Sequence, residues 1–455
     1  MSLSIFGLAV LAVCGYLLFT RGPLSLLVAV MLFTLMGGSA AMILTSLGGA
    51  SVRPSLLAMV ILSAAVCLPG ARRAALLPTA IVQNFPLVVF CAYGALSAFL
   101  LPLIFAGDFQ VVPMNPRGLT SRFDTALLHF TNQNITTAFY MLATMMAALS
   151  AWIAVQQPSA PRVLVMTIVA IAVTHAGLGV ADLFLSGTPF EAFLEFFRNA
   201  NYAQHNQAID GFTRINGIFP EPSAYAAFAL PWFVCSFELW LRDVWPRATG
   251  ASAAMLLPLL VLSLSSTALV SLAAYVFIFL LRGVLQPAMF RPKLIVAAAG
   301  GSITGLLAVL TLFMTNPDLA QSFLDVIRKL TVEKSASDSG EQRLFWALQG
   351  IDFFMSTWGI GIGAGSFRSS SIATAIMGST GVIGVVTFVW FLVSVLKPFA
   401  ISTYHAVEDF RSNVGSALAW GAFSVFLPAL VSGASPDPGI IFGMISGASL
   451  GLRSS

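Results

Sequence analysis

The sequence predicts an all-α, polytopic integral membrane protein with about 12–13 transmembrane helices and long outward-facing loops that carry short helices. Only 9% of the residues are charged and 58% are hydrophobic, and the mean hydropathy is +0.91. A soluble globular chain carries about 25% charged residues, so most of this surface is expected to face lipid. The apolar runs are continuous and far longer than the ~10-residue alternating segments of a membrane β-barrel, which argues against that class. We therefore treat residues 1–455 as a single polytopic membrane domain.

The apolar runs mark the predicted membrane spans, since one crossing requires about 20 residues. They lie at residues 2–19, 24–48, 55–70, 80–106, 133–155, 163–187, 221–241, 252–264, 267–281, 294–315, 376–396, 413–433 and 438–452. The first run lacks the basic segment of a cleavable signal peptide, so it is interpreted as a retained span. Basic residues, Arg242 and Arg282 among them, collect in the loops that are inside when the N-terminus is outside. The positive-inside rule therefore favours an outer N-terminus and an inner C-terminus.

Three stretches interrupt the apolar pattern, at residues 107–132, 188–220 and 316–375, and in this orientation all three face outward. In the second stretch, Phe190, Phe193 and Phe197 recur at helical spacing. This spacing predicts a short helix that lies in the headgroup region.

The third outward stretch is predicted to hold two helices. The first begins after Asn316, which is followed by a proline at the first helical position. The second begins at Ser339, whose spacing from Gln342 matches a capping box. Its predicted buried face consists of Leu344, Ala347, Leu348, Ile351 and Met355. Such ordered outer helices could cover a cavity at the membrane surface.

Four arginines lie close to predicted span ends on the outward side: Arg198, Arg214, Arg343 and Arg368. Arginine stays charged and presents a planar fork that suits phosphate oxygens. The alternative is that an interfacial arginine only anchors its helix by extending toward the headgroups. Anchoring is the default for one arginine alone. For Arg214 with Glu221, and for Arg343 in a capped helix, we favour anion binding.

Two outward residues are candidates for acid–base work. Glu221 lies between two prolines at a helix start, where it is either a carboxylate stabilised by the helix dipole or a general base. His205 is the best-placed imidazole of the outer loops, and the alternative for it is a hydrogen-bonded surface residue. The sequence leaves both choices open.

A glycine-rich stretch from Gly359 to Gly365 precedes Arg368. Its alternating glycines either let backbone N–H groups surround an anion or permit a tight turn and close helix packing. On the first interpretation Gly363 and Gly365 bind substrate.

Signatures of soluble enzymes are missing. The chain has no Walker A loop, no Asp-x-Asp pair, no His-Glu-x-x-His and no Gly-x-Ser-x-Gly. The four cysteines, Cys14, Cys67, Cys91 and Cys235, all lie in apolar runs without metal-ligand spacing. We therefore expect neither a metal nor a cofactor.

Three blocks, taken in order, resemble the O-antigen ligase and polymerase superfamily, which are membrane glycosyltransferases acting on undecaprenyl-pyrophosphate glycans. The blocks are residues 214–226, which include Ser223 and Tyr225, residues 262–269, and the stretch from Arg343 through 358–367 to Gly384. Ligases of this superfamily resemble one another in a His-Asn pair after the glycine-rich block, and residues 369–376 here contain no histidine. The resemblance therefore implies a polymerase of O-antigen or exopolysaccharide repeats before a ligase. A transporter or flippase of lipid-linked sugars is the alternative from another class.

The resemblance implies a metal-independent, inverting transfer at the periplasmic side of the bacterial inner membrane. It implies that Arg214 and Arg343, with Arg368 third, stabilise the leaving pyrophosphate, and that Glu221 or His205 assists the acceptor hydroxyl. Arg198, Ser223, Tyr225, Gly363 and Gly365 complete the expected substrate-binding set. The expected partners are lipid-linked oligosaccharide donor and acceptor and the lipid bilayer, with a chain-length regulator protein allowed and nucleic acid not expected.

Overall fold

The computed structural model describes the chain in segments. These are residues 2–44, 49–67, 73–115, 123–200, 208–209, 212–286, 292–315, 321, 324–326, 328–329, 338–396 and 410–453. Every predicted span contains one of the described helices, and the protein is an all-α polytopic membrane protein.

Sixteen helices are described along the chain. They are α1 (Ile5–Thr20), α2 (Pro23–Phe33), α3 (Pro54–Cys67), α4 (Leu77–Gln83), α5 (Phe85–Ile104), α6 (Asn132–Ala154), α7 (Ala160–Leu185), α8 (Glu191–Phe196), α9 (Pro222–Leu241), α10 (Pro246–Leu262), α11 (Ser266–Leu285), α12 (Pro292–Thr315), α13 (Asp338–Ser356), α14 (Ile372–Leu396), α15 (Phe410–Ser432) and α16 (Gly439–Arg453). Within the described segments, seven helices are long and apolar enough to cross a membrane: α5, α6, α7, α9, α11, α14 and α15. The predicted break between α10 and α11 is confirmed, because Leu264 there adopts a left-handed conformation with φ 46°.

Among the described residues, sheet structure is confined to three small antiparallel sheets. They involve β1 (Ser2–Leu3), β2 (Met42–Leu44), β3 (Ala50–Val52), β4 (Gln110–Val111), β5 (Ala126–Leu127), β6 (Ala208–Ile209) and β7 (Phe212–Thr213). The order β1-β2-β3 shows that the predicted continuous span over 24–48 is wrong, since its helix ends at Phe33. The cause is the Gly37-Gly38 pair, which packs against Phe219 and the carbonyl oxygen of Ile218. The Gly38 N–H donates to that oxygen at 3.2 Å, so the chain leaves the helix to pack on residues 215–219.

The core is assembled by small residues that let helix backbones approach closely. On α16, Gly443, Gly447 and Gly451 face α6 at intervals of four residues. A Cβ at Gly447 would lie only 2.1 Å from the carbonyl oxygen of Ala148. This is the small-residue packing by which membrane helices associate, because lipid supplies no hydrophobic drive to bring them together.

A buried ionic cluster ties α9, α11 and α15 together. Glu238 forms ion pairs with Arg242 and Arg282, and it accepts a hydrogen bond from the Tyr275 hydroxyl at 3.2 Å. The Arg282 guanidinium lies 3.5 Å from the centre of the Trp420 ring. Because Arg242 and Arg282 are both buried and both paired with Glu238, they are not the exposed loop cations that the orientation argument assumed.

The predictions for the helices in the long loops between spans have different outcomes. The helix predicted around Phe190 and Phe193 is α8, and both rings are exposed on it. The helix predicted from Ser339 is α13, but its predicted buried face is wrong. Leu344, Leu348, Ile351 and Met355 are exposed, whereas the buried residues include Gln342, Gln349 and Phe353. The polar side of α13 therefore packs on the protein and its apolar side points outward. The helix predicted after Asn316 begins outside the described residues.

Candidate functional site

A polar cavity of about 400 Å³ lies where the N-termini of α9 and α14 meet the loop that follows α15. We call the side of the protein that carries it the cavity face. The wall includes five hydroxyl groups and four charged side chains from stretches distant in sequence. The lining residues are Val112, Asp124, Glu221, Ser223, Ser339, Gln342, Arg343, Trp346, Arg368, Ser369, Ser370, Ser432 and Ala434.

Arg343 and Arg368 approach the cavity from two separate elements. Arg343 lies in the first turns of α13, and its carbonyl oxygen accepts a hydrogen bond from the Ser370 hydroxyl. Arg368 follows the glycine-rich stretch, and its backbone N–H donates to the Val112 carbonyl at 2.8 Å. Its guanidinium lies 4.6 Å from the centre of the Trp346 ring. Two of the predicted phosphate-binding arginines thus face one cavity.

Glu221 and Ser223 contribute the opposite charge at the start of α9. Glu221 is the N-cap residue by position, with an extended backbone (φ −160°, ψ 159°), but its side chain makes no capping hydrogen bond. The carboxylate instead accepts a hydrogen bond from the Ser223 hydroxyl, and both side chains line the cavity. The geometry therefore leaves the Glu221 carboxylate turned toward the cavity, where a general base would have to lie.

Arg214 lies close enough to Glu221 for their charges to interact. Burial lowers the pKa of Arg214, and the Glu221 carboxylate opposes that shift. Arg214 is half-buried and is not part of the described cavity wall. Arg214 is therefore a charge beside Glu221 and does not itself line the cavity.

Arg198 occupies a different environment, and its substrate-binding assignment is corrected. Its guanidinium pairs with Asp182 at 2.7 Å and donates to the carbonyl oxygen of Gly217, from Nε at 2.9 Å. The Asp182 carboxylate also accepts the backbone N–H groups of Asn216 and Gly217, at 2.8 and 2.9 Å. Arg198 is buried and fully engaged in protein contacts, so it anchors residues 215–219 to α7.

Tyr225 is likewise a packing residue. It is buried, and its ring stacks on His175 of α7 with centroids 4.0 Å apart. Gly179 and Gly217 leave room for it, since a Cβ at Gly179 would lie 2.1 Å from the tyrosine oxygen. Tyr225 therefore packs the start of α9 against α7 and is not among the residues that line the cavity.

Of the two interpretations of the glycine-rich stretch, the structure agrees with a tight turn and close packing. Gly359, Gly361, Gly363 and Gly365 all have φ between 78° and 98°, a conformation that disfavours other residues. A Cβ at Gly363 would lie 2.7 Å from the carbonyl oxygen of Ser97, and the Gly363 N–H donates to the protein. Gly365 packs equally closely on the start of α6. The two glycines therefore position Arg368 and are not a substrate-binding nest.

His205 falls outside the described residues. Sequence reasoning missed four kinds of contributor to the cavity: Asp124 between α5 and α6, the Trp346 ring, the hydroxyls of Ser369 and Ser370, and Ser432 at the end of α15. Trp346 follows Arg343 by three residues and so lies on the same helix face, a spacing that could have revealed it. The local sequence around the other residues gives no indication that they line a cavity.

Asp437, in the loop between α15 and α16, predicts a measurable pH dependence. Burial raises its pKa to about 6, although hydrogen bonds from Thr144 and the Gly439 backbone and the charge of Arg53 act in the opposite direction. Because the folded-state pKa lies above 3.8, the ordinary value for an aspartate, the folded protein holds this proton more tightly than the unfolded chain. The contribution of protonated Asp437 to the free energy of unfolding is therefore present at low pH and is lost as the pH rises through about 6.

We expect the heat-induced aggregation midpoint of detergent-solubilised protein to fall as the pH is raised from about 5 to about 7.5, by the equivalent of roughly 1 kcal/mol. The Asp437→Asn variant should have a flatter profile across this range. An equal slope in wild type and variant would show that another group controls it.

A scan against protein-family models finds no matching family, and a search of curated proteins finds no match either.

Proposed function

We propose that this protein is a membrane glycosyltransferase that polymerises undecaprenyl-pyrophosphate-linked oligosaccharide repeats at the periplasmic face of the bacterial inner membrane. One observation carries the proposal. Arg343, Arg368 and the Glu221–Ser223 pair, which are up to 147 residues apart in the chain, line one cavity beside the ends of membrane-spanning helices.

The two arginines support an anionic group as the ligand. Guanidinium forks bind phosphate oxygens through paired hydrogen bonds, and serine hydroxyls at the same wall add further donors. A lipid-linked pyrophosphate presents this chemistry at the headgroup depth that the helix ends occupy. The cavity volume of about 400 Å³ is at the lower end of small-molecule sites. It fits a pyrophosphate with an adjoining sugar, whereas a whole repeat would extend beyond it.

The proposed reaction joins two lipid-linked glycans in one displacement. A hydroxyl oxygen of the acceptor sugar bonds to the anomeric carbon of the donor, while the bond from that carbon to the pyrophosphate oxygen breaks. The bonding electron pair leaves with the lipid pyrophosphate, and the acceptor proton passes to the Glu221 carboxylate. Arg343 and Arg368 stabilise the charge that gathers on the leaving group, which in mutagenesis of other enzymes accounts for about 3–4 kcal/mol per donor. Binding of the pyrophosphate and the donor sugar in the cavity, with the acceptor sugar at its opening beside Glu221, supplies the alignment that the displacement needs.

The test is a reconstituted polymerisation. Purified protein receives lipid-linked repeats in detergent, without nucleotide, and the glycans are released and separated by size. A ladder of longer glycans is the expected result. Product only when lipid A-core is supplied would identify a ligase instead. Translocation of lipid-linked repeats across vesicles without any longer product would identify a transporter.

A further inference from the structure

The segment from α13 to the start of α14 runs into the body of the protein and returns. Its entry and exit lie side by side, because the Ser370 hydroxyl binds the carbonyl oxygen of Arg343. Farther along, Gly350 packs against Thr374 of α14, with a hypothetical Cβ 2.2 Å from the threonine carbonyl oxygen. At the far end, the Val382 N–H donates to the carbonyl oxygen of Gly359 at 2.8 Å. α13 therefore descends beside the first three turns of α14.

The turn at Trp358–Gly359 lies deep within the level of the membrane spans. Val382 is ten residues beyond the first residue of α14, which corresponds to about 15 Å along a helix. The hydrocarbon core of a bilayer is about 30 Å thick, so this point is near its middle. A second span also places the returning segment inside a helix end, since Gly363 packs against Ser97, seven residues or about 10 Å before the end of α5 at Ile104. α14 is itself interrupted here, at Gly381 (φ 59°).

The outward side of this segment is apolar. Leu344, Leu348 and Ile351 are exposed on α13, and Met355 near its end is 69% exposed. The exposed stripe is continuous with exposed apolar residues of the neighbouring span, which include Val382, Ile383 and Val386. A helix in water would bury these side chains, whereas a helix facing lipid exposes them. Two exposed charges lie on this helix, Glu341 in its first turn and Asp352 at the flank of the stripe.

Trp358 adds a second, independent observation. It is 94% exposed and has φ 55°, at the position after a helix end where glycine is usual. A left-handed conformation costs a non-glycine residue roughly 1–2 kcal/mol, so a large ring held there points to a contact outside the described chain.

The return segment satisfies the condition that lipid imposes on irregular backbone. Residues 361–371 are buried except for partial exposure at Arg368 and Ser371. The N–H groups of Gly361, Ile362 and Gly363 all donate to protein oxygens. Non-helical backbone at membrane depth is tolerated where protein covers it, as it is here.

We infer that residues 338–371 form a re-entrant hairpin, which enters and leaves the bilayer at the cavity face and contacts lipid hydrocarbon chains through Leu344, Leu348, Ile351, Met355 and Trp358. The apolar stripe begins beside Arg343, at the cavity. If the proposed function is correct, the hydrocarbon chain of the lipid-linked substrate has a path along this stripe while its pyrophosphate reaches the arginines. The contact with lipid itself does not depend on that function.

The test uses the full-length protein with its four native cysteines replaced. Single cysteines are introduced as Leu348→Cys, Met355→Cys and Trp358→Cys, each carrying a nitroxide label. Val386→Cys on α14 is the matched lipid-facing reference, and Ser339→Cys at the entrance is the reference near water. The protein is reconstituted in phosphatidylethanolamine–phosphatidylglycerol vesicles without substrate. Power saturation then compares collisions with oxygen, which enters hydrocarbon, and with a water-soluble nickel chelate.

At positions 348, 355 and 358 we expect oxygen to dominate, as at position 386, with depth increasing toward 358. At position 339 we expect nickel to dominate. Dominance of nickel at 355 and 358 would show that α13 is an external lid and would overturn the inference. Strong dipolar broadening between copies at 358 would do the same, because a second copy of the chain and not lipid would then cover the face. A missing polymerase activity would leave these readouts unchanged, so failure of the proposed function is distinguishable.

Discussion

Replacing Arg343 with alanine is expected to lower the polymerisation rate by about 100- to 1000-fold, the usual cost of removing one donor that stabilises a developing oxyanion. The side chain faces the cavity with Arg368, and nothing in the cavity replaces the lost charge on that wall. Because the residue is near a helix surface and not in the core, the protein should still be expressed and remain monodisperse. The measurement is the initial rate of glycan elongation in the reconstituted assay.

The Arg343→Lys variant tests how the arginine acts. Lysine keeps the charge but loses the planar fork, so a loss close to that of alanine indicates paired hydrogen bonds to phosphate. A double variant of Arg343 and Arg368 should lose less than the product of the two single losses, since both groups act on one ligand. The matched control is Arg162→Ala, at the exposed beginning of α7 and remote from the cavity. Near-normal elongation by Arg343→Ala would remove this residue from the mechanism.

Replacing Asp182 with alanine is expected to destabilise the protein by about 3–5 kcal/mol, because it leaves the buried Arg198 guanidinium without its counter-charge. Two backbone N–H groups, of Asn216 and Gly217, lose their acceptor at the same time. The expected result is a lower heat-induced aggregation midpoint and poor recovery from the membrane.

The Asp182→Leu, Arg198→Met double variant separates a structural pair from a substrate-binding arginine. Apolar residues of similar size often replace a buried ion pair without net loss, so its stability should recover in part relative to Asp182→Ala. Recovery is only partial because the N–H groups of Asn216 and Gly217 still lack their acceptor. Elongation should recover together with stability, since the pair touches no part of the cavity. Recovered stability with elongation still absent would restore Arg198 to the substrate-binding set.

Sequence reasoning found the site through its charges. Apolar runs mark helices reliably in a membrane protein, because the bilayer demands both length and internally satisfied backbone. Arg343, Arg368, Glu221 and Ser223 stood out because charged and polar groups at span ends are rare in such a chain, and the structure brings these four to one cavity. The same reasoning could not separate Arg198 from them. Its partner, Asp182, lies on another helix and is reached only by folding.

The inverted face of α13 shows a second limit. Hydrophobic periodicity identifies an apolar stripe, but the stripe faces protein in water and lipid in a bilayer. Helical spacing placed Leu344 and Leu348 on one side of the helix correctly. Whether that side was inside or outside depended on the glycine contacts between Gly350, Gly378 and Thr374, which dock α13 along α14 by its polar side.

By itself, the sequence determined that this chain is a polytopic helical membrane protein. The composition and the length of the apolar runs are enough for that conclusion, since a segment of about 20 apolar residues is stable in lipid as a helix. The tertiary structure decided which of the charged and polar candidate residues line one cavity and which only stabilise the fold. That division depends on contacts between residues far apart in the chain, such as Arg198 with Asp182 and Glu221 with the wall that carries Arg343. Such contacts cannot be predicted from the local sequence pattern.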